Sequence, residues 1–121
     1  MDLELRDVDG QRILEAVPGR PLIAQVDDFN AVLEACFAED AQRVLLYSEN
    51  LTAGFFDLST GEAGIILQKL RNYHVRLAVI RSPDLTLSRR FEELLVDERR
   101  GPYFRVFDER EPALAWLSEE E

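Results

Sequence analysis

Residue types that do chemistry are scarce in this sequence. Its 121 residues include one cysteine, one histidine and one lysine. Cys36 alone cannot close an internal disulfide. Cys36 and His74 are too few for a zinc or haem constellation, and no acidic spacing matches a calcium-binding loop. Neither GxGxxG nor a P-loop is present, so no cofactor and no metal is expected. Long hydrophobic runs are also missing; nothing approaches the ~18 apolar residues of a membrane span. The opening "MDLELRDVDG" lacks the basic and apolar regions of a leader, and a cytoplasmic protein is expected. Positive charge is in deficit: 14 basic against 24 acidic side chains give a net charge of -10. A surface of that sign repels nucleic acid and anionic membranes. Thirteen of the basic residues are arginine, suited to pairing with the many carboxylates.

Apolar residues are plentiful at 46%, enough for the core of one domain spanning residues 1–121. "LELRDV" and "QRILEAV" flank Asp9-Gly10, a hairpin signal. "PGRP" at 18–21 is punctuation, and Leu22–Val26 reads as a short further strand. Helices and strands then alternate. "DDFNAVLEACFAED" puts Phe29, Val32, Leu33, Cys36 and Phe37 on one helical face, capped by Asp27 or Asp28. "RVLLYS" (43–48), "VRLAVIR" (75–81) and "YFRVF" (103–107) read as strands. "LSRRFEELLVDERRG" carries Leu87, Phe91, Leu94 and Leu95 on a helical stripe ended by Gly101-Pro102. A last helix holds Ala113, Trp116 and Leu117, with Asp108 or Glu111 near its start and a frayed "SEEE" tail. These elements predict an α/β fold with a mixed, mostly parallel sheet, an N-terminal β-hairpin and about four helices.

The most distinctive stretch is "FFDLSTGEAGIILQKLRNY", residues 55–73. Ser59-Thr60-Gly61-Glu62 fits the S-x-x-E capping box, with Ser59 and Glu62 as mutual caps. Ala63, Ile66, Leu67 and Leu70 then share one face, with Gly64 beside it to allow close packing. Ile65 points away from that face and, with Phe55 and Phe56, suggests an apolar patch for a partner or for a homodimer. A catalytic Ser59 lacks a base. His74 lies fifteen residues on, about 20 Å along the helix, and Lys69 about 15 Å. His74 reads as a surface or capping residue at a helix exit, Cys36 as inert core and Trp116 as a core plug. Beyond the carboxyl ends of the strands, Glu49, Asn50, Asp57, Ser59, Ser82 and Asp108 would form a polar rim, approached by Arg89 and Arg90.

The sequence resembles two known patterns. The strand "RVLLYS", a loop and then "DLSTG" before an apolar helix resemble STAS domains, the fold of bacterial anti-sigma-factor antagonists. Leu58 stands between Asp57 and Ser59 as an insertion in that pattern. More closely, "FFDLSTGEAGIILQKLRNYHVRLAVI" resembles the signature of a bacterial family, domain of unknown function 4180. The resemblance implies a STAS-like fold and no activity. The STAS likeness also implies phosphorylation of Ser59 or Thr60 beside Asp57. Two functions are expected as alternatives. One is a non-enzymatic regulatory or protein-interaction module. The other is a small-molecule-binding protein or enzyme with a polar pocket at the strand ends.

Overall fold

The computed structural model describes residues 2–119. Strands β1 (Leu3–Val8) and β2 (Gln11–Ala16) form the hairpin. Asp9 and Gly10 turn it with φ of 51° and 82°, the left-handed pair that a tight two-residue turn needs. There follow α1 (Phe29–Glu39), β3 (Arg43–Tyr47), α2 (Glu62–Tyr73), β4 (Arg76–Ile80), α3 (Arg89–Glu98), β5 (Phe104–Phe107) and α4 (Arg110–Ser118). The sheet runs β1-β2-β3-β4-β5; β1 is antiparallel to β2, and every other neighbour pair is parallel. The fold class is therefore the mixed, mostly parallel α/β arrangement that the hairpin and the alternation predict.

Side chains alternate across the strands and divide the core in two. Leu14, Val44, Leu46, Leu77, Val79 and Phe104 face α1, α2 and α3 in the larger cluster. Ile13, Leu45 and Ala78 face α4, which contributes Ala113, Trp116 and Leu117 to the smaller cluster. All three crossover helices thus share one face, and α4 alone packs on the other. Arginines fasten α4 at its open end: Arg76 donates to the Trp116 carbonyl (3.0 Å) and Arg43 to that of Leu117 (3.3 Å). The Arg76 and Arg105 guanidinium groups lie 5.4 and 5.1 Å from the centre of the Trp116 ring. Trp116 is buried, as is Cys36, whose thiol is pushed up to about 11 by burial. Among the described residues, no helix is long and apolar enough to cross a membrane.

Several local expectations are corrected. Leu22–Val26 is not a strand. Its neighbour β2 is already paired on both sides, so the segment crosses the end of the sheet, where the Leu22 and Ile23 amides donate to the Asn50 carbonyl (3.1 and 2.8 Å). Asp28 does not cap α1; its carboxylate turns back to the amides of Ala24 and Gln25. Phe37 is 68% exposed rather than in the core. It stands about 80° round the helix from Phe29, at the margin of the buried arc, and leans edge-on against Tyr73, 5.9 Å away. Gly64 is exposed with open space where a Cβ would stand, so it mediates no close packing. Leu87 is buried but precedes α3, which begins after the cap formed by Ser88. Of the "SEEE" tail, Ser118 ends α4 and Glu119 follows it, while 120 and 121 lie outside the described residues.

Candidate functional site

The loop between β3 and α2 is built from three single 3-10 turns, Ser48–Asn50, Ala53–Phe56 and Leu58–Thr60. The capping box is not formed. Gly61, at φ 79°, takes the N-cap position, and the 3-10 turn before it carries Ser59 out of reach. Asp57 caps that turn instead, accepting from the Ser59 amide (3.0 Å) and hydroxyl (2.7 Å). Those two bonds, the hydroxyl first, hold the Asp57 carboxyl below its ordinary value. Thr60 supplies the side-chain oxygen that the first amide of α2 reaches, accepting from Glu62 at 3.2 Å. Its own hydroxyl donates to the Gly54 carbonyl at 2.6 Å. Glu62 turns to the Thr52 hydroxyl (2.9 Å), and its carboxylate occupies the space a Cβ on residue 54 would take. The polar residues of this segment therefore stitch the loop to itself.

Phe55 is fully buried, packed against Phe56, Phe91 and Phe104 at 5.0 to 5.8 Å between ring centres. It cannot meet a partner, because the 3-10 turn capped by Thr52 points it into the three-helix core. Phe56 and Leu58 are half-buried, and Ile65 is 46% exposed on α2. Ser59 and Thr60 are exposed residues, but the Thr60 hydroxyl is committed to the loop.

The polar rim does not assemble as one site. Asn50 is buried, donating to the carbonyls of Val17 (2.9 Å) and Arg20 (2.6 Å) and accepting from the Tyr47 amide (2.6 Å). It locks the strand end and offers nothing to a ligand. Asp108 pairs with Arg81 (3.0 Å). Glu49 and Ser82 do come together, in an open groove of about 310 Å³ beyond β3 and β4. Asp57, Arg89 and Asp108 do not line it. The groove has Ser48 and Leu51 as its buried floor, Phe56 and Leu85 as half-buried walls, and Glu49 and Asp84 exposed at its mouth. Ser48 joins its two loops, accepting from the Ser82 amide at 2.9 Å. His74 caps the far end of α2 with a left-handed φ of 55°, its Nδ1 3.2 Å from the Tyr103 hydroxyl.

Sequence reasoning missed a polar cluster centred on Glu15. This buried β2 carboxylate receives both prongs of Arg110 (2.8 Å each), the Tyr47 hydroxyl (2.8 Å) and Arg6 Nε (3.2 Å). Arg110 chiefly, with Tyr47 and Arg6, holds its carboxyl at about 2 against the opposing effect of burial. Burial, reinforced by Glu15, pushes the Tyr47 hydroxyl up to about 12. Every oxygen of Glu15 is engaged, so the cluster ties the start of α4 to β2 and β3 and remains ionised near neutral pH. Its one sequence signal is an acidic residue within the apolar run "ILEAV".

Among the described residues, no three His, Cys, Asp or Glu side chains are placed to hold a metal ion. The family model described as "Domain of unknown function (DUF4180)" matches residues 8–117. No curated protein and no solved structure matches the chain.

Proposed function

This chain belongs to the family described as Domain of unknown function (DUF4180), and from that premise we propose that it is a non-enzymatic regulatory or protein-interaction module. The contact surface is the start of α2, the loop before it and the adjoining groove. One observation carries this reading: Phe56 and Leu58 of the loop and Ile65 of α2 stand partly in solvent, beside a loop whose own polar groups are bonded internally. Apolar side chains displayed on a rigid frame suit recognition, because little ordering entropy opposes binding. The hairpin followed by crossover helices on one sheet face is also in keeping with a STAS-like fold, which supports reading the start of α2 as the contact point. Within that reading Ser59 is the modification point, since among the described residues its exposed hydroxyl is held only by Asp57. A phosphate there would oppose the Asp57 carboxylate and release the turn it caps.

The ligand-pocket alternative is less favoured. Glu49 and Asp84 have no histidine, cysteine or lysine beside them in the groove, and Arg89 does not reach it. Affinity capture from native lysate with the wild type, Ile65→Asp and Ser59→Asp tests the proposal. A partner lost on Ile65→Asp, with the thermal midpoint unchanged, supports it. A partner held equally by all three, or none at all, sinks it.

A further inference from the structure

We propose that the groove beyond β3 and β4 receives an arginine or lysine side chain, flanked by apolar residues, from the partner protein. This deepens the proposed function and rests on it. Leu51, Phe56 and Leu85 give the groove an apolar floor and walls, while Glu49 and Asp84 stand exposed at its mouth. Neither carboxylate has a hydrogen-bond or ion-pair partner among the described residues. Arg81, the cation that precedes the second loop, is turned to Asp108 at 3.0 Å. An anion entering here would meet two unopposed carboxylates. A neutral apolar group would strip water from them and return nothing. A basic side chain matches both parts, laying its methylene stem on the apolar surface and its charged head between the carboxylates. The groove is open along its length and, at about 310 Å³, lies at the small end of ligand pockets. That shape fits a side chain presented from another surface better than an enclosed free molecule. The net charge of -10 draws a basic segment in from a distance.

The test uses the full ¹⁵N-labelled chain and a capped pentapeptide, alanine-leucine-arginine-leucine-alanine, titrated into the millimolar range at low salt. Amide signals of residues 48–56 and 82–85 are expected to move. The double variant Glu49→Gln/Asp84→Asn weakens binding about three- to tenfold, the worth of two exposed ion pairs. Glu39→Gln/Asp97→Asn makes the same change in net charge at the other end of the sheet and leaves the affinity within twofold. The inference is overturned if the peptide with glutamine in place of arginine binds equally, in which case the groove is a plain apolar contact and the interaction module stands. It is also overturned if n-butylguanidine binds as tightly as the arginine peptide, which makes a free cation the occupant. A groove that ignores every probe while Ile65→Asp still loses a partner removes the groove alone; silence in both assays removes the module with it.

Discussion

Replacing Glu15 with glutamine keeps the shape of the side chain and removes its charge, so it isolates what the buried carboxylate does for α4. Its carboxyl falls from an ordinary 4.5 to about 2 in the folded protein. At ~1.36 kcal/mol per unit, that shift corresponds to roughly 3 kcal/mol of stability. The Arg110 and Arg6 side chains are 47% and 46% exposed, and solvent screening reduces the figure to about 2 kcal/mol. The same exposure lets both arginines rehydrate in the variant, so the loss falls short of the ~3–5 kcal/mol seen when a fully buried pair is broken. Because the folded value lies below the unfolded one, the stabilisation is complete above about pH 4.5 and is lost as the pH falls through about 2. Urea unfolding at pH 7, 5, 3 and 2 reads it directly. Glu15→Gln is expected to lose about 2 kcal/mol at pH 7, and the gap to wild type narrows to a few tenths near pH 2. A gap that stays constant across this range, or one below about 0.5 kcal/mol at pH 7, would refute the tie between Glu15 and α4.

Substitutions at three other positions separate the observed loop from the one read in the sequence. Ser59→Ala, measured by urea unfolding, should cost less than about 0.5 kcal/mol, whereas a Ser59 that capped α2 would cost ~1; NMR titration should show the Asp57 carboxyl rising toward its ordinary value as its Ser59 hydroxyl bond is lost. Gly61→Ala meets no atom within 4 Å but must hold φ near 79°, so thermal unfolding should register a loss of about 1–2 kcal/mol, with Gly61→Asn losing less. Phe55→Ala empties a fully buried position among three other phenylalanines and should cost about 3–5 kcal/mol in urea; a loss under 1 would place Phe55 at the surface after all.

Where short-range periodicity decides structure, the sequence was legible. The hairpin turn, the apolar strands and the buried arcs of α1 and α2 follow from spacings of two to four residues, and each is present. Failures began where an element's surroundings decide. Phe37 satisfies the helical spacing as well as Cys36 does, yet only Cys36 faces a neighbouring layer. Leu22–Val26 has strand-like residues, but the strand it follows, β2, is already paired on both sides. Glu15 meets Tyr47 and Arg110 across 32 and 95 residues, and no local pattern announces such a meeting. Asn50 misled for the same reason: a polar loop residue reads as solvent-facing until the carbonyls of Val17 and Arg20 fold over it.

The "FFDLSTGE" segment shows how a sequence-level site becomes a structural one of a different kind. In the sequence, Asp57 and Ser59 read as part of a polar rim, Ser59 or Thr60 as a modification point and Glu62 as a cap of α2. In the fold, each spends a side-chain bond on the loop itself. Backbone groups in a connection this irregular need such partners, since neither helix nor sheet satisfies them. What the loop presents outward is then whatever its bonding leaves over. Here that is Phe56 and Leu58, with Ile65 of α2 beside them and the carboxylates of Glu49 and Asp84 on the neighbouring groove. Ser82, Asp84 and Leu85 come from the loop after β4, so a third of the groove's lining lies twenty residues or more beyond "FFDLSTGE". The recognition proposed for this end of the sheet would therefore depend on two loops held in register by the Ser48–Ser82 bond, and a change in either loop would alter what the other can bind.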